Sequence, residues 1–445
     1  LPVEQRDSIL DPAPHWLGQA GCVVGNPPWI AWDHLPEDYR ERTKPLWREY
    51  GLFSLSAAAA RQGGGKKDLA ALMLYAAADR YLRPGGRLGF VITQTLFQSQ
   101  GAGDGFRRFR IGPGGAGLRV WRVDDMVRLK PFGEASNWTS VVFLEKGAPT
   151  IYPVRYVRWK PREECEARPI DPARPASPWV VTPKGTPALT TGQAAYKAHA
   201  GAYSGGANGV YWLRIVGRDG ANLVVENLAG RGKRAVESVR QTIEPDLVYP
   251  LLCWGDVERY RAQPSAHILL AQDPVTRRGI DEDLMRERYP LTYAYLKRFE
   301  PVLRQRRSSA LRALMERGPF YSMFAVGPYT MAPIKVVWRR MDRRMNAAVV
   351  ESARPVIPQE TCVFIAAASS DEAHYLCARL NSDEIDTLVR ALSVAGGKGF
   401  GTPVLLEYLP IEKYDPNNPA HRPKLIDGGY PAEVELLTVC SRKSI

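Results

Sequence analysis

The sequence predicts an α/β protein, in which a sheet domain of alternating strands and helices precedes a second, strongly basic domain. Three observations predict it. An apolar content of 45% over 445 residues is ordinary for globular protein and leaves room for two or three domains, which excludes disordered and fibrous classes. Short apolar runs bracket a stretch of helical period in the first third of the chain, the alternation of an open, mostly parallel sheet. A formal charge of +13, carried mostly by arginine, favours a polyanion as partner, because the guanidinium fork suits phosphate; a solvated basic surface is the plain alternative.

The elements follow in order. "RDSIL" (6–10) and "GCVVG" (21–25) are runs of strand type ending in turn residues. In "DLAALMLYAAADRYL", Leu69, Leu72, Met73, Ala76, Ala77 and Tyr81 recur at helical spacing, with Asp68 as N-cap and "RPGG" as the stop. "RLGFVIT" reads as a buried strand, and "VDDMVRL" and "TSVVFLEKG" as two more, completing a domain over residues 1–148. Residues 149–200, with "KPREECEARPIDPARPASPW", have the texture of a proline-rich connector. Residues 201–415 form a second domain with strand-like "GVYWLRIV", "NLVVENL", "IKVVWRRM" and "TCVFIAAA". Its helix-like segments are "LTYAYLKRFEPVLRQRR" and "DEAHYLCARLNSDEIDTLVRAL". Residues 416–445 read as a tail that packs or stays mobile.

The six cysteines are scattered without a CxxC pair, which argues against zinc and a disulfide scaffold and fits a reducing cytoplasm. No metal is expected, and the histidines show no ligand or triad spacing. No window reaches the ~18 consecutive apolar residues of a membrane span, so no membrane partner is expected.

The chemistry concentrates where the second strand ends, in "GNPPW". A Pro-Pro step is stiff and cannot continue a sheet, so it fixes its neighbours. The exocyclic amine of adenine is a poor nucleophile until two acceptors hold its hydrogens in the tetrahedral arrangement. The side-chain oxygen of Asn26 and the main-chain carbonyl of Pro27 are two such acceptors, held in place by Pro28. Trp29 offers a face for a base extruded from a duplex, and Gly25 lets backbone approach closely. A rigid turn capping a strand is the structural alternative.

"GNPPW" after an apolar strand resembles the catalytic motif of gamma-class N6-adenine DNA methyltransferases of the restriction-modification and phage-defence type. The flanking stretches strengthen the resemblance. "RDSIL" resembles the strand end whose acidic residue, here Asp7, lies near the cofactor adenine. "KKDLAALMLYAAADRYLRPGGRLGFVITQTLF" resembles the family's next helix and strand, with Asp68 either a helix cap or a cofactor neighbour. "VRLKPFGEASNWTSVVFLEKG" resembles the following strand pair, where an aromatic residue, here Phe132, flanks the target base or else packs on the core. "IEPDLVYPLLCWGDVERY", "YLKRFEPVLRQRR", "GPFYSM" and "YLCARLNS" look like the family's target-recognition region, so the likeness spans about residues 1–415.

The resemblance implies a Rossmann-like class I methyltransferase sheet and a C-terminal α+β target-recognition domain. It also implies S-adenosylmethionine as cofactor and transfer of its methyl group to an adenine flipped out of double-stranded DNA between Trp29 and Phe132. The family's glycine-rich cofactor loop lies upstream of the Asn-Pro-Pro-Trp turn, and only 25 residues precede Asn26 here. "SQGAGDGF", "IGPGGAG" and "AGGKGFGTP" read as loops rather than as a relocated copy. The expectation is therefore an N-terminally incomplete sheet, with a further polypeptide or N-terminal segment carrying that loop. In the basic clusters, Arg306, Arg307, Arg339, Arg340, Arg343 and Arg344 are candidate DNA contacts, interleaved with aromatics, or solvated faces. Rival readings are a DNA-binding specificity module without chemistry of its own and a methyltransferase acting on RNA or protein.

Overall fold

The computed structural model describes residues 3–53, 68–98, 102–133, 138–186, 189, 191–232, 236–306, 309–392 and 400–421, and the chain divides into two compact units, Leu1–Leu189 and Thr190–Ile445. Among the described residues, no helix is long and apolar enough to cross a membrane.

The first unit is built on one seven-stranded sheet. In chain order its strands are β1 (Ala20–Gly25), β2 (Leu82–Thr93), β3 (Leu118–Asp125), β4 (Thr139–Lys146), β5 (Val154–Arg158), β6 (Glu163–Pro169) and β7 (Trp179–Pro183). They lie in the order β1-β2-β4-β3-β5-β6-β7. Only β1 with β2 and β3 with β5 pair in parallel. The sheet is thus mixed rather than mostly parallel as the alternation suggested. A parallel neighbour needs a long crossover, and the chain supplies one with helices between β1 and β2; shorter returns make β5-β6-β7 antiparallel.

The crossover holds α1 (Glu37–Glu49) and α2 (Leu69–Arg80). Asp68 caps α2 as its sequence position predicted, its Oδ1 accepting from the Ala70 N–H at 3.0 Å. The predicted apolar stripe is too narrow: Ala70, Ala71, Leu74 and Tyr75 are buried as well, while Met73 and Tyr81 are only half-buried. Small alanines let the helix sink into the core on several sides at once. "RPGG" lies within β2, at the register jump between the Ala20–Leu82 and Cys22–Arg87 pairs, so the helix ends just before it.

Three further expectations change. Ser8–Leu10 is a turn and not a strand, because the Asp7 carboxylate accepts the N–H groups of Ile9 and Leu10 at 2.9 and 3.0 Å, the competing bond a short acidic side chain offers. "VDDMVRL" contributes only its first three residues to β3, which begins earlier, at Leu118. The stretch expected as a connector forms β5, β6 and β7 of the same sheet. Its inward residues in β6, Cys165, Ala167 and Pro169, alternate with charged ones, and Pro169 and Pro183 occupy strand ends where a missing donor matters least. Buried Arg107 fastens this part to the rest, donating to the carbonyls of Leu96, Ala176 and Ser177 at 2.7, 3.0 and 3.0 Å.

The second unit contains a six-stranded sheet, Arg240–Ile243, Asn222–Asn227, Trp212–Asp219, Ala266–Leu269, Val248–Leu252 and Ile357–Pro358 in spatial order. A four-stranded sheet is made of Ala347–Glu351, Ile334–Arg339, Cys362–Ala366 and His199–Ala200. The two predicted helical segments each break into two helices, Pro290–Arg298 with Glu300–Arg304, and Ser370–Leu380 with Asp383–Leu392. Of the expected tail, Pro419–His421 is a short helical turn with His421 buried, and residues 422–445 lie outside the described residues.

One side chain of this unit gives it a measurable pH dependence. Lys335 is 1% exposed, and burial pushes its ammonium down to about 7; the group donates to the Ala332 carbonyl. The unfolded chain therefore binds a proton the folded chain resists over the interval from about 7 to 10.5, so stability rises with pH through that window. Urea unfolding followed at several pH values should show that rise, and Lys335→Met should flatten it. Equal pH dependence of the two proteins refutes the assignment.

Candidate active site

The carboxyl ends of β1, β2 and β3 lie at one end of the first unit's sheet, since β1 and β2 are parallel and β3 and β2 both run antiparallel to β4. That end is where open α/β sheets hold ligands. Asn26–Trp29 leaves β1 there. The Asn26 side chain is exposed and makes no hydrogen bond to any described residue; Pro27 is buried and Pro28 exposed. Gly25 is required by packing: a Cβ at this position would lie 2.9 Å from the Phe90 ring.

Trp29 is half-buried and held from behind. Its indole N–H donates to the Val91 carbonyl at 3.3 Å, tying the turn after β1 to β2. Phe132, 42% exposed on the segment after β3, meets Trp29 edge to face with ring centroids 5.6 Å apart. The structure thus brings these two predicted residues together. A base stacked between two rings needs roughly 7 Å, two van der Waals contacts of about 3.5 Å, so the pair as it stands is closed.

The two predicted carboxylates are anchored at opposite ends of α2. Asp68 sits beside the motif, since the Ile30 carbonyl accepts from the Leu69 N–H at 2.9 Å. Its second oxygen accepts from the Thr93 hydroxyl at 2.9 Å, and burial raises its pKa against those two hydrogen bonds. The turn that Asp7 opens is fastened instead at the carboxyl end of α2, where Arg80 donates to the Ile9 carbonyl and Tyr81 to the Ser8 carbonyl. Beside Asp7, the Tyr39 phenol is pushed up to about 12 by burial and by that carboxylate.

Sequence reading passed over a buried polar row at the same end of the sheet. Gln94 and Ser140 are 2% and 0% exposed, and neither Gln94 Oε1 nor Ser140 Oγ has a hydrogen-bond partner among the described residues. Asp125, opposite Ser140 in the ladder, accepts from the Val127 N–H and the Tyr156 hydroxyl, each at 2.9 Å; burial raises its pKa. The available signal was a run of polar residues closing an apolar strand, "FVITQ".

In the second unit the predicted arginines separate. Arg306 is 1% exposed and donates to the carbonyls of Leu303, Ser204, Ser322 and Phe320 at 2.8, 3.1, 2.9 and 2.5 Å. It is a structural crosslink and is not presented to a phosphate, a correction to the cluster reading. Arg307 lies outside the described residues. Arg339 stacks over Trp254 at 4.3 Å and faces Asp342, and Arg344 pairs with Asp383 at 3.1 Å. Arg340 is half-buried and Arg343 exposed, and neither has an ion-pair partner among the described residues.

No protein-family profile matches the chain, and no curated protein does. The solved structures to which it is similar include restriction-modification enzymes and a methyltransferase. One is the Type IIL restriction-modification enzyme MmeI in complex with DNA, 13% identical, with a TM-score of 0.49 over 87% of this chain and 45% of that one. Another is the type IIG restriction endonuclease BpuSI, 13% identical, with a TM-score of 0.26 over 83% and 44% of the two chains. A third, from Listeria monocytogenes, is described as a class I S-adenosylmethionine-dependent methyltransferase, 17% identical, with a TM-score of 0.22 over 31% and 36%. The chain spans less than half the length of each of these proteins.

Proposed function

We propose that this chain supplies the target-base site and the DNA-recognition surface of an S-adenosylmethionine-dependent DNA methyltransferase, acting on the N6 amine of adenine. One observation carries the reading: an exposed, unengaged Asn26 amide, a rigid Pro27-Pro28 step and the ring of Trp29, fixed by Val91, stand side by side at the carboxyl end of a sheet. Asn26 Oδ1 and the Pro27 carbonyl accept the two amine hydrogens and favour a tetrahedral nitrogen with its lone pair free. Trp29 stacks the extruded base, in the place Phe132 now fills, so Phe132 swings outward on its exposed segment.

The described residues do not build a cradle for S-adenosylmethionine. Both oxygens of Asp68 are taken by the chain itself, Asp7 is anchored at the far end of α2, and most of "AGGKGFGTP" lies outside the described residues. The methyl donor's site is therefore assigned outside the described residues.

The test is the identity of the product. A methylation-competent protein containing this chain, given labelled S-adenosylmethionine and duplex DNA, should yield labelled N6-methyldeoxyadenosine after digestion to nucleosides. Label on cytosine, on RNA or on protein instead overturns the reading.

A further inference from the structure

The second unit has a groove of about 740 Å³ that the sequence did not single out. It is lined by Gln272, Asp273, Arg278, Asp281, Arg288, Tyr289 and Arg317 among others, and a volume of this order suits a nucleotide-sized ligand. The three arginines are exposed, and no described carboxylate pairs with any of them. This sets them apart in a unit where Arg214, Arg298 and Arg304 are held by Glu226, Glu237 and Glu300.

The two carboxylates of the groove accept hydrogen bonds from within their own turns. Asp273 accepts from the Val275 N–H and the Thr276 hydroxyl, each at 2.8 Å, and Asp281 caps the helix Glu282–Arg288 through the N–H groups of Asp283 and Leu284. They hold the walls in shape and leave the guanidiniums to a ligand. Gln272, 4% exposed, also lines the groove and donates its amide nitrogen to the Met323 carbonyl at 2.6 Å, which fixes that part of the wall.

We infer that this groove binds a phosphate-bearing nucleotide, its phosphate held by Arg278, Arg288 and Arg317 and its base set against Tyr289. Guanidinium forks pair with phosphate bidentately, and Tyr289 gives the base a half-buried aromatic neighbour. The nucleotide belongs either to a DNA strand or to a free mononucleotide. The strand alternative rests on the DNA reading above; the groove itself does not.

Fluorescence anisotropy of the full chain with a labelled 20-base-pair duplex, and calorimetry with dAMP and with inorganic phosphate, test it. The groove variant carries Arg278→Gln, Arg288→Gln and Arg317→Gln. A control of equal charge loss carries Arg214→Gln, Arg298→Gln and Arg304→Gln. If the groove holds a strand, its variant binds duplex at least about tenfold more weakly and its plot of log K against log salt flattens by roughly 0.9 for each phosphate that is no longer neutralised, while the control keeps its slope. Groove-dependent dAMP binding with unchanged duplex affinity also supports the site and assigns it a free nucleotide. Equal losses in the two variants, equal affinity for dAMP and inorganic phosphate, or no binding of any probe overturns the proposal. Duplex binding indifferent to the groove, with no dAMP binding, refutes the groove while leaving the DNA reading intact, and the methylated-nucleoside assay decides that reading separately.

Discussion

Asn26→Ala should lower the rate of methyl transfer to an adenine-containing duplex by roughly 100- to 1,000-fold, the loss typical when one pre-placed hydrogen-bonding group is removed from a developing charge. The substitution leaves Trp29, its bond to Val91 and the Pro27 carbonyl in place. Since the exposed Asn26 amide makes no hydrogen bond to any described residue, its loss leaves no partner unsatisfied and stability should hold. The effect belongs to the transition state, where the amine nitrogen becomes tetrahedral, so DNA affinity should scarcely change. Single-turnover transfer, in a methylation-competent protein containing this chain, gives the rate. Fluorescence of 2-aminopurine at the target position reports base extrusion independently, and should persist in the variant. A parent-like rate for Asn26→Ala would leave the segment as a stiff turn without catalytic part.

Arg306→Ala should unfold the second unit at markedly lower urea. The guanidinium joins four carbonyls from three separate segments, around 204, 303 and 320–322, and stacks over the Tyr211 ring at 5.9 Å. Truncation leaves those acceptors buried without donors at about 1–3 kcal/mol each, so even partial relaxation leaves a loss on the order of 4 kcal/mol. Arg306→Lys should recover only part of it, since one ammonium cannot span the positions of a planar fork. Urea unfolding followed by tryptophan fluorescence provides the check. A variant that unfolds like the parent but loses one phosphate's worth of salt dependence in DNA binding would restore the contact role that the buried geometry denies.

The sequence made local features legible and left pairing partners obscure. "GCVVG" and "RLGFVIT" carry their strand character in consecutive β-branched and apolar residues, and Asp68 announces the helix it caps, because each is decided within a few residues. Whether neighbouring strands run parallel depends on the connection between them, which is why an alternating pattern overstated the parallel character of this sheet. The β6 alternation was written in "EECEARP", but its small inward residues and flanking prolines resemble a linker. Charge patterns misled most. "RQRR" looks uniform in sequence, yet burial takes Arg306 into the core, and the unpaired arginines of the groove come from positions 278, 288 and 317, which no local pattern unites. Gln94, Ser140 and Gln272 were likewise invisible, since an orphaned acceptor is defined by what surrounds it.

Strand β1 stands at one end of the sheet order with only β2 beside it, and its outward residues are apolar: Val24 is 78% exposed and Cys22 is exposed as well. Among the described residues no strand pairs with its other side, where its peptide groups offer a template for another extended segment. β1 itself carries neither a lysine nor a proline, two of the usual defences of such an edge. An extended segment laid along β1 would therefore end directly beside the Asn26–Trp29 turn.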